Sequence, residues 1–194
     1  QMAGFDGVEI HSAHGYLLYE APRGLVALHP RAARERIWYE RIAAQLAARG
    51  MVRQRLLFPL VFECEPLEAA AVRDWLPFLD EAGLPIEPFG RTTFRLTEHP
   101  NWLPEAEVEP LVRELTAKIR EGELSPKKPD LARQWFAQTA ATRAAKTERN
   151  DPEDDPEALI DTLLRCEQPL SDPRGRPTLV EWSERDLAKR FGLA

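Results

Sequence analysis

The sequence is poor in the residues and runs that define several protein classes. Only two of its 194 residues are cysteine, Cys64 and Cys166. Two thiols cannot build a disulfide framework, and no CxxC pair offers a zinc site, so a reducing compartment is the default expectation. No apolar stretch approaches the roughly 20 residues that cross a bilayer. The first residues carry no basic segment leading into an apolar one, so no export signal is visible. A cytoplasmic protein with no membrane contact is expected. There is no Walker A loop and no GxGxxG fingerprint, which removes the nucleotide-binding architectures built on them. A (β/α)8 barrel takes roughly 250 residues, more than the chain has. Cations are the minority, 26 lysines and arginines against 32 acids, for a net charge of −6. That balance argues against a protein that coats nucleic acid.

What is present is a globular composition, 43% hydrophobic and 30% charged, suited to one domain or two small subdomains. The charge is sorted into blocks. From Arg31 to Arg55 seven arginines face only Glu35 and Glu40, whereas residues 61–124 and 147–172 are acidic. Such blocks read first as solvated faces. The basic block also offers Arg31, Arg34, Arg41, Arg53 and Arg55 for a weak contact with a DNA backbone.

Periodicity predicts a strand at Leu25–Leu28 and a helix over 32–48, carried by Trp38, Ile42 and Leu46 and ended by a left-handed cap at Gly50. Residues 55–62 (RLLFPLVF) read as a buried strand in which Pro59 demands an edge or a bulge. A helix through Leu67, Ala71, Trp75 and Leu79 closes at Gly83. Two short strands follow at 86–89 and 92–96, and His99, before Pro100, reads as a turn residue. Val108, Leu111, Val112, Leu115 and Ile119 form the strongest helical stripe. Residues 121–130 are a linker, 131–146 a helix and 147–155 an acidic loop. Asp155-Pro156-Glu157 starts another helix. A proline-bounded loop at 168–177, a strand at 178–182 and a last helix at 184–190, capped by Ser183 and Asp186, complete the chain. The five tryptophans, one per element, read as core anchors. Cys64 and Cys166 read as inert thiols. The fold class is α+β, with a βαββα middle flanked by two halves.

Taken in order, several segments resemble the C-terminal domain of the MutL family of DNA mismatch-repair proteins. The likeness runs through Tyr16-Leu17-Leu18, Gly24-Leu25-Val26-Ala27-Leu28 and His29-Pro30-Arg31-Ala32-Ala33-Arg34-Glu35-Arg36-Ile37-Trp38-Tyr39-Glu40, where relatives carry D-Q-H-A-A-H-E-R-I-L-Y-E. It resumes at Gln54–Leu60, at Ile86–Gly90, and at Asp172-Pro173-Arg174-Gly175-Arg176-Pro177-Thr178, where relatives carry C-P-H-G-R-P-T. It ends with Leu187–Phe191. The resemblance implies a dimerisation subdomain from both chain ends (1–52 and 125–194) and an inserted regulatory subdomain (53–124). It also implies a fragment, since the family's ATPase is not in this sequence.

Many members of that family nick DNA with divalent metals held by carboxylates, imidazoles and thiolates. Carried over residue by residue, the site is degenerate. His29 stands at the aspartate position, Arg31 at the histidine, Thr142 at the cysteine of A-C-K/H-A-A, and Asp172 and Arg174 within the C-P-H motif. Glu35 and Glu40 match the two glutamates. Arginine cannot ligate a cation, so Glu35 is expected to pair with Arg31 or Arg36 on its own helix. Gln54, Leu57 and Pro59 match the Q-x-x-[LI]-x-P segment by which the family docks on the β sliding clamp. Separately, Ala3–Leu18 resembles a strand and loop of the old yellow enzyme family, where two histidines, here His11 and His14, would polarise one substrate oxygen. The rest of that barrel and its flavin site have no counterpart. The bland reading of the segment is a strand, Val8–Ile10, pairing with the Leu17 and Val26 strands.

The resulting expectation is a homodimerising, scaffolding domain that is not an enzyme and holds neither cofactor nor metal. Its partners would be itself, the β sliding clamp and other mismatch-repair proteins, in a nucleoid-associated cytoplasmic setting. One alternative is a divergent metal-dependent nicking endonuclease using Glu35 with His29, Glu40 and Asp172. Another is a DNA-binding module using the arginines.

Overall fold

The computed structural model describes residues 10–146 and 155–193. The chain forms two compact units, one from residues 1–40 and 148–194, the other from 41–147.

The first unit contains strands β1 (Ile10–Ala13), β2 (Tyr16–Ala21) and β3 (Gly24–Leu28), most of helix α1 (Pro30–Ala47), helix α5 (Pro156–Leu164), strand β7 (Leu179–Ser183) and helix α6 (Glu184–Arg190). Its four strands form one antiparallel sheet in the order β1-β2-β3-β7. Period-two alternation turns Leu17, Tyr19, Val26 and Leu28 inward, against Ala33 and Ile37 of α1 and Leu159, Ile160 and Leu163 of α5. Gly24 is what lets β3 meet β7: a Cβ there would lie 2.0 Å from the Trp182 carbonyl oxygen. Asp155 caps α5 through the Ala158 amide at 3.1 Å, and Ser183 with Asp186 forms the expected capping box of α6.

The second unit takes in β4 (Arg53–Glu63), α2 (Pro66–Glu81), β5 (Ile86–Pro88), β6 (Thr93–Pro100), α3 (Glu105–Arg120) and α4 (Pro129–Ala144). Its antiparallel sheet has the order β4-β6-β5, which makes β4 an edge. The helical stripe of α3 is buried as its spacing predicts. Unit and expected insert differ in extent. Helix α4 groups with the middle of the chain through Phe136 against Phe78 of α2 and Arg143 against Glu107 and Glu114 of α3.

Several expectations need correcting. The left-handed residue ending α1 is Arg49, φ 49°, and not Gly50. His99 is no turn residue: β6 runs on to Pro100 and buries it completely. Trp75 and Trp102 are core residues, while Trp38, Trp135 and Trp182 are only half-buried. Val8 and Glu9 of the expected first strand, and the loop at 147–154, lie outside the described residues. The strand that is described, β1, pairs with β2, which separates it from the Val26 strand.

Candidate functional site

The residues that stand at the family's metal positions are brought together at the start of α1 and the 171–177 loop, apart from Thr142. Glu35 and Asp172 are only 2% and 1% exposed. Each oxygen of Glu35 accepts from a different arginine, Oε1 from Arg31 Nε at 3.2 Å and Oε2 from Arg176 Nη2 at 3.3 Å. Asp172 Oδ1 accepts from the amides of Arg174 and Arg176, both at 2.9 Å, and Oδ2 from Arg176 Nε at 2.6 Å. Burial pushes the Asp172 carboxyl pKa up, but the amide and guanidinium hydrogen bonds of Arg176 and Arg174 outweigh it and hold it below the usual carboxylate range. Arg36, expected as a partner for Glu35, instead donates to the carbonyls of Ser171 at 2.6 Å and Asp172 at 2.9 Å.

The remaining positions do local work. His29 caps α1: its Nδ1 accepts from the Ala32 amide at 3.2 Å, and its own amide donates to Thr178 O at 2.8 Å. Glu40 accepts from the amides of Glu167 and Gln168 at 2.8 and 3.1 Å. Thr142 belongs to the other unit, where its hydroxyl donates to Gln138 O at 3.2 Å. This donor set does not fit a divalent cation. The buried carboxylate oxygens are taken by N–H groups, and Arg31 and Arg174 bring charge that repels one. Among the described residues no group of three or more His, Cys, Asp or Glu is placed to hold a metal.

Among the described residues, two apolar surfaces are left open. The outer face of the first sheet carries Tyr16 and Leu18 of β2, Ala27 of β3, and Val180 and Trp182 of β7, which line a groove of about 680 Å³. Tyr16 and Val180 are about half exposed. His14, in the left-handed turn between β1 and β2 with φ 51°, and His29 also line it. The two histidines of the flavoenzyme-like segment thus sit at a tight turn, His11 on β1 and His14 after it. Apolar residues on both faces of one sheet mark a sheet built to be covered twice.

The second surface lies on β4. The ladder to β6 breaks between Arg55 and Leu60, so Pro59 has both an edge and a bulge, but the strand is not the buried one its apolar run predicts: Leu57, Phe58, Pro59 and Val61 are exposed. Leu57 and Phe58, within the break, are each 76% exposed. Gln54, Leu57 and Pro59 are all exposed, on one continuous stretch of edge strand. Sequence reasoning missed the reach of Arg176 to Glu35 and Asp172 and of Arg36 to the Ser171 and Asp172 carbonyls. Only the first had a signal, its i, i+4 spacing from Asp172.

Among the described residues, one sheet face is uncovered and an apolar edge strand is bulged, which are the surfaces of an assembly module. Comparison with known proteins gives that class its family. The family model described as the MutL C terminal dimerisation domain matches residues 11–150. Proteins named DNA mismatch repair protein MutL are similar over 92% of the chain: 38% identical over 180 residues in Opitutus terrae, 37% over 178 in Akkermansia muciniphila and 38% over 180 in Syntrophobacter fumaroxidans. The chain belongs to the MutL C-terminal dimerisation domain family. It spans 29%, 28% and 26% of the length of those three relatives. Among the described residues no helix is long and apolar enough to cross a membrane.

Proposed function

We propose that this chain is the homodimerisation and scaffolding domain of a MutL-type DNA mismatch-repair protein, that it does not cut DNA, and that it docks on the β sliding clamp through Gln54, Leu57 and Pro59. The observation that carries the dimer is the uncovered outer sheet face with Tyr16, Leu18, Ala27, Val180 and Trp182, in a chain of a dimerisation family. A second copy is the occupant, because a two-fold dimer covers the same patch on both protomers. Dimerisation is assigned to 1–52 with 125–194 and regulation to the insert 53–124. The setting is the bacterial cytoplasm beside the nucleoid, with other mismatch-repair proteins as further partners.

Sedimentation equilibrium at tens of micromolar tests the dimer and should give twice the 22.1 kDa chain mass. Val180→Asp places two like charges at the interface and should weaken association at least about 100-fold. A 22 kDa species from the unaltered chain overturns the dimer. Loss of nuclease activity is supported by the engaged oxygens of Glu35 and Asp172. Supercoiled-plasmid nicking in manganese should stay at background. Nicking that Glu35→Ala abolishes would establish the divergent-nuclease alternative instead.

Clamp docking is supported by the 76% exposure of Leu57 and Phe58 on an unpaired edge. An extended segment of this kind offers an amide for orientation and an aliphatic side chain for a pocket, while proline limits the entropy lost on ordering. So short a segment buries less than the roughly 1,200 Å² of a stable interface, so the contact is transient.

A further inference from the structure

Two side chains stand behind the exposed segment of β4 without belonging to it. His99 is the cross-strand neighbour of Gln54 and is completely buried. Its Nε2 lies 3.1 Å from the Gln54 amide nitrogen, and its Nδ1 is buried without a hydrogen-bond partner. Burial holds the imidazole below its ordinary pKa, against the opposing pull of Glu105 and of the Pro100 and Leu103 backbone, so the ring is neutral near pH 7. A neutral ring has one acceptor nitrogen. With Nε2 accepting from the Gln54 NH2 group, the amide oxygen is the end left for a partner. Glu105, the first residue of α3, accepts the Leu57 amide N–H at 3.3 Å. That amide falls where β4 has no β6 partner, so the carboxylate supplies the bond that the broken ladder does not.

We propose that His99 and Glu105 are positioning residues for clamp docking: His99 fixes which end of the Gln54 amide faces the partner, and Glu105 fixes the backbone that presents Leu57. The inference rests on the clamp-docking reading above. A segment ordered before binding loses less conformational freedom on binding, so its affinity depends on what orders it.

The test is a set of affinities for a purified bacterial β sliding clamp, each variant also checked for its melting midpoint. Glu105→Ala should weaken binding about fivefold, the worth of one net hydrogen bond, and Glu105→Gln, which keeps an acceptor oxygen, should restore it. His99→Phe should weaken binding similarly in the unaltered chain and have no further effect on top of Gln54→Ala, as expected when one residue acts through another. Unchanged affinity in both Glu105→Ala and His99→Phe overturns the proposal. So does a His99→Phe loss that persists undiminished beside Gln54→Ala. If His99→Phe fails to fold, the exposed Glu105 pair alone decides. Should the unaltered chain not bind the clamp, or should Leu57→Ala bind normally, the docking reading falls and this proposal with it. Leu57-dependent binding that ignores Glu105 and His99 sinks this proposal alone.

Discussion

The clasp around Glu35 and the bulge around Leu57 use their polar and apolar groups in opposite ways. At the clasp, two carboxylates that are almost fully buried have both oxygens engaged by arginine or backbone N–H groups. Among the described residues, no oxygen of either carboxylate is without an N–H donor. At the bulge, two large apolar side chains face solvent and four residues of strand have no ladder partner. The first region commits its polar groups to the fold, and the second leaves its apolar groups in solvent. The difference shows how one chain can close one set of polar groups on itself and leave another surface open: arginines and backbone amides take up the buried carboxylates, and a bulged edge strand keeps its apolar side chains outside.

The largest expected effect comes from breaking the closed region. Asp172→Ala leaves two loop amides and the Arg176 guanidinium without their acceptor. Arg176 is partly solvated and can turn to water, so the cost falls below that of a fully buried pair, about 2–4 kcal/mol. Urea unfolding measures it. The same group gives the clasp an acid dependence. Its folded pKa is depressed, so it contributes stability above the unfolded value near 3.9 that is lost as pH falls through the folded one. Asp172→Asn should be less stable near neutral pH and flatter between about pH 4 and 2 than the unaltered chain. Equal slopes would mean the clasp does not titrate with folding.

These two regions also differ in how far the sequence discloses them. The i, i+4 relation of Arg31 to Glu35 is local, and the pairing follows from helix geometry alone. Arg176 reaches Glu35 across 141 positions of chain, a contact that no periodicity encodes. Pro59 demands an edge or a bulge, and the structure has both, because a missing N–H constrains a strand wherever it folds. His99 was unreadable for the opposite reason. The proline after it suggests a turn, but Pro100 stands at the last position of an antiparallel strand, where Arg53 is its register partner, and tertiary pairing overrides the local signal. The uncovered sheet face was half legible. Alternation in β2 and β3 identifies an inner and an outer set, while only the pairing of β3 with β7 puts Val180 beside Ala27.

A smaller effect sharpens the contrast from the open side. Leu57→Ala should abolish clamp binding while changing unfolding free energy by no more than about 0.5 kcal/mol, since that side chain is 76% exposed, whereas Gln54→Ala, which takes the partner from buried His99, should cost about 1–3 kcal/mol. Were Leu57 a core residue, its truncation would cost about 2–5 kcal/mol. Melting and clamp affinity measured on the Leu57→Ala variant separate a docking residue from a packing one. A fall in stability of the larger size would put Leu57 with Glu35, among residues spent on the fold.

The smallest effect concerns DNA. Of the five arginines of the basic block, Arg31 is bound to Glu35 and Arg53 to Asp80. Arg34 and Arg41 have interactions within the chain, and Arg55 is the register partner of Glu98. With Arg31 and Arg53 already held by acids, the block releases fewer counterions when it meets a phosphate backbone than five available arginines would. Each phosphate neutralised contributes about −0.9 to the slope of log K against log salt on duplex DNA. Five available arginines would therefore give a slope of about −4.5, whereas the three not held by acids give about −2.7 at most. Fluorescence anisotropy on a short duplex between about 50 and 200 mM salt reads that slope directly. The expected result is the shallow slope, unchanged by Arg31→Gln because that guanidinium stays on Glu35. A steep slope that flattens in Arg31→Gln would mean the clasp opens to receive DNA, and the distinction between a closed region and an open one would fail at its closed end.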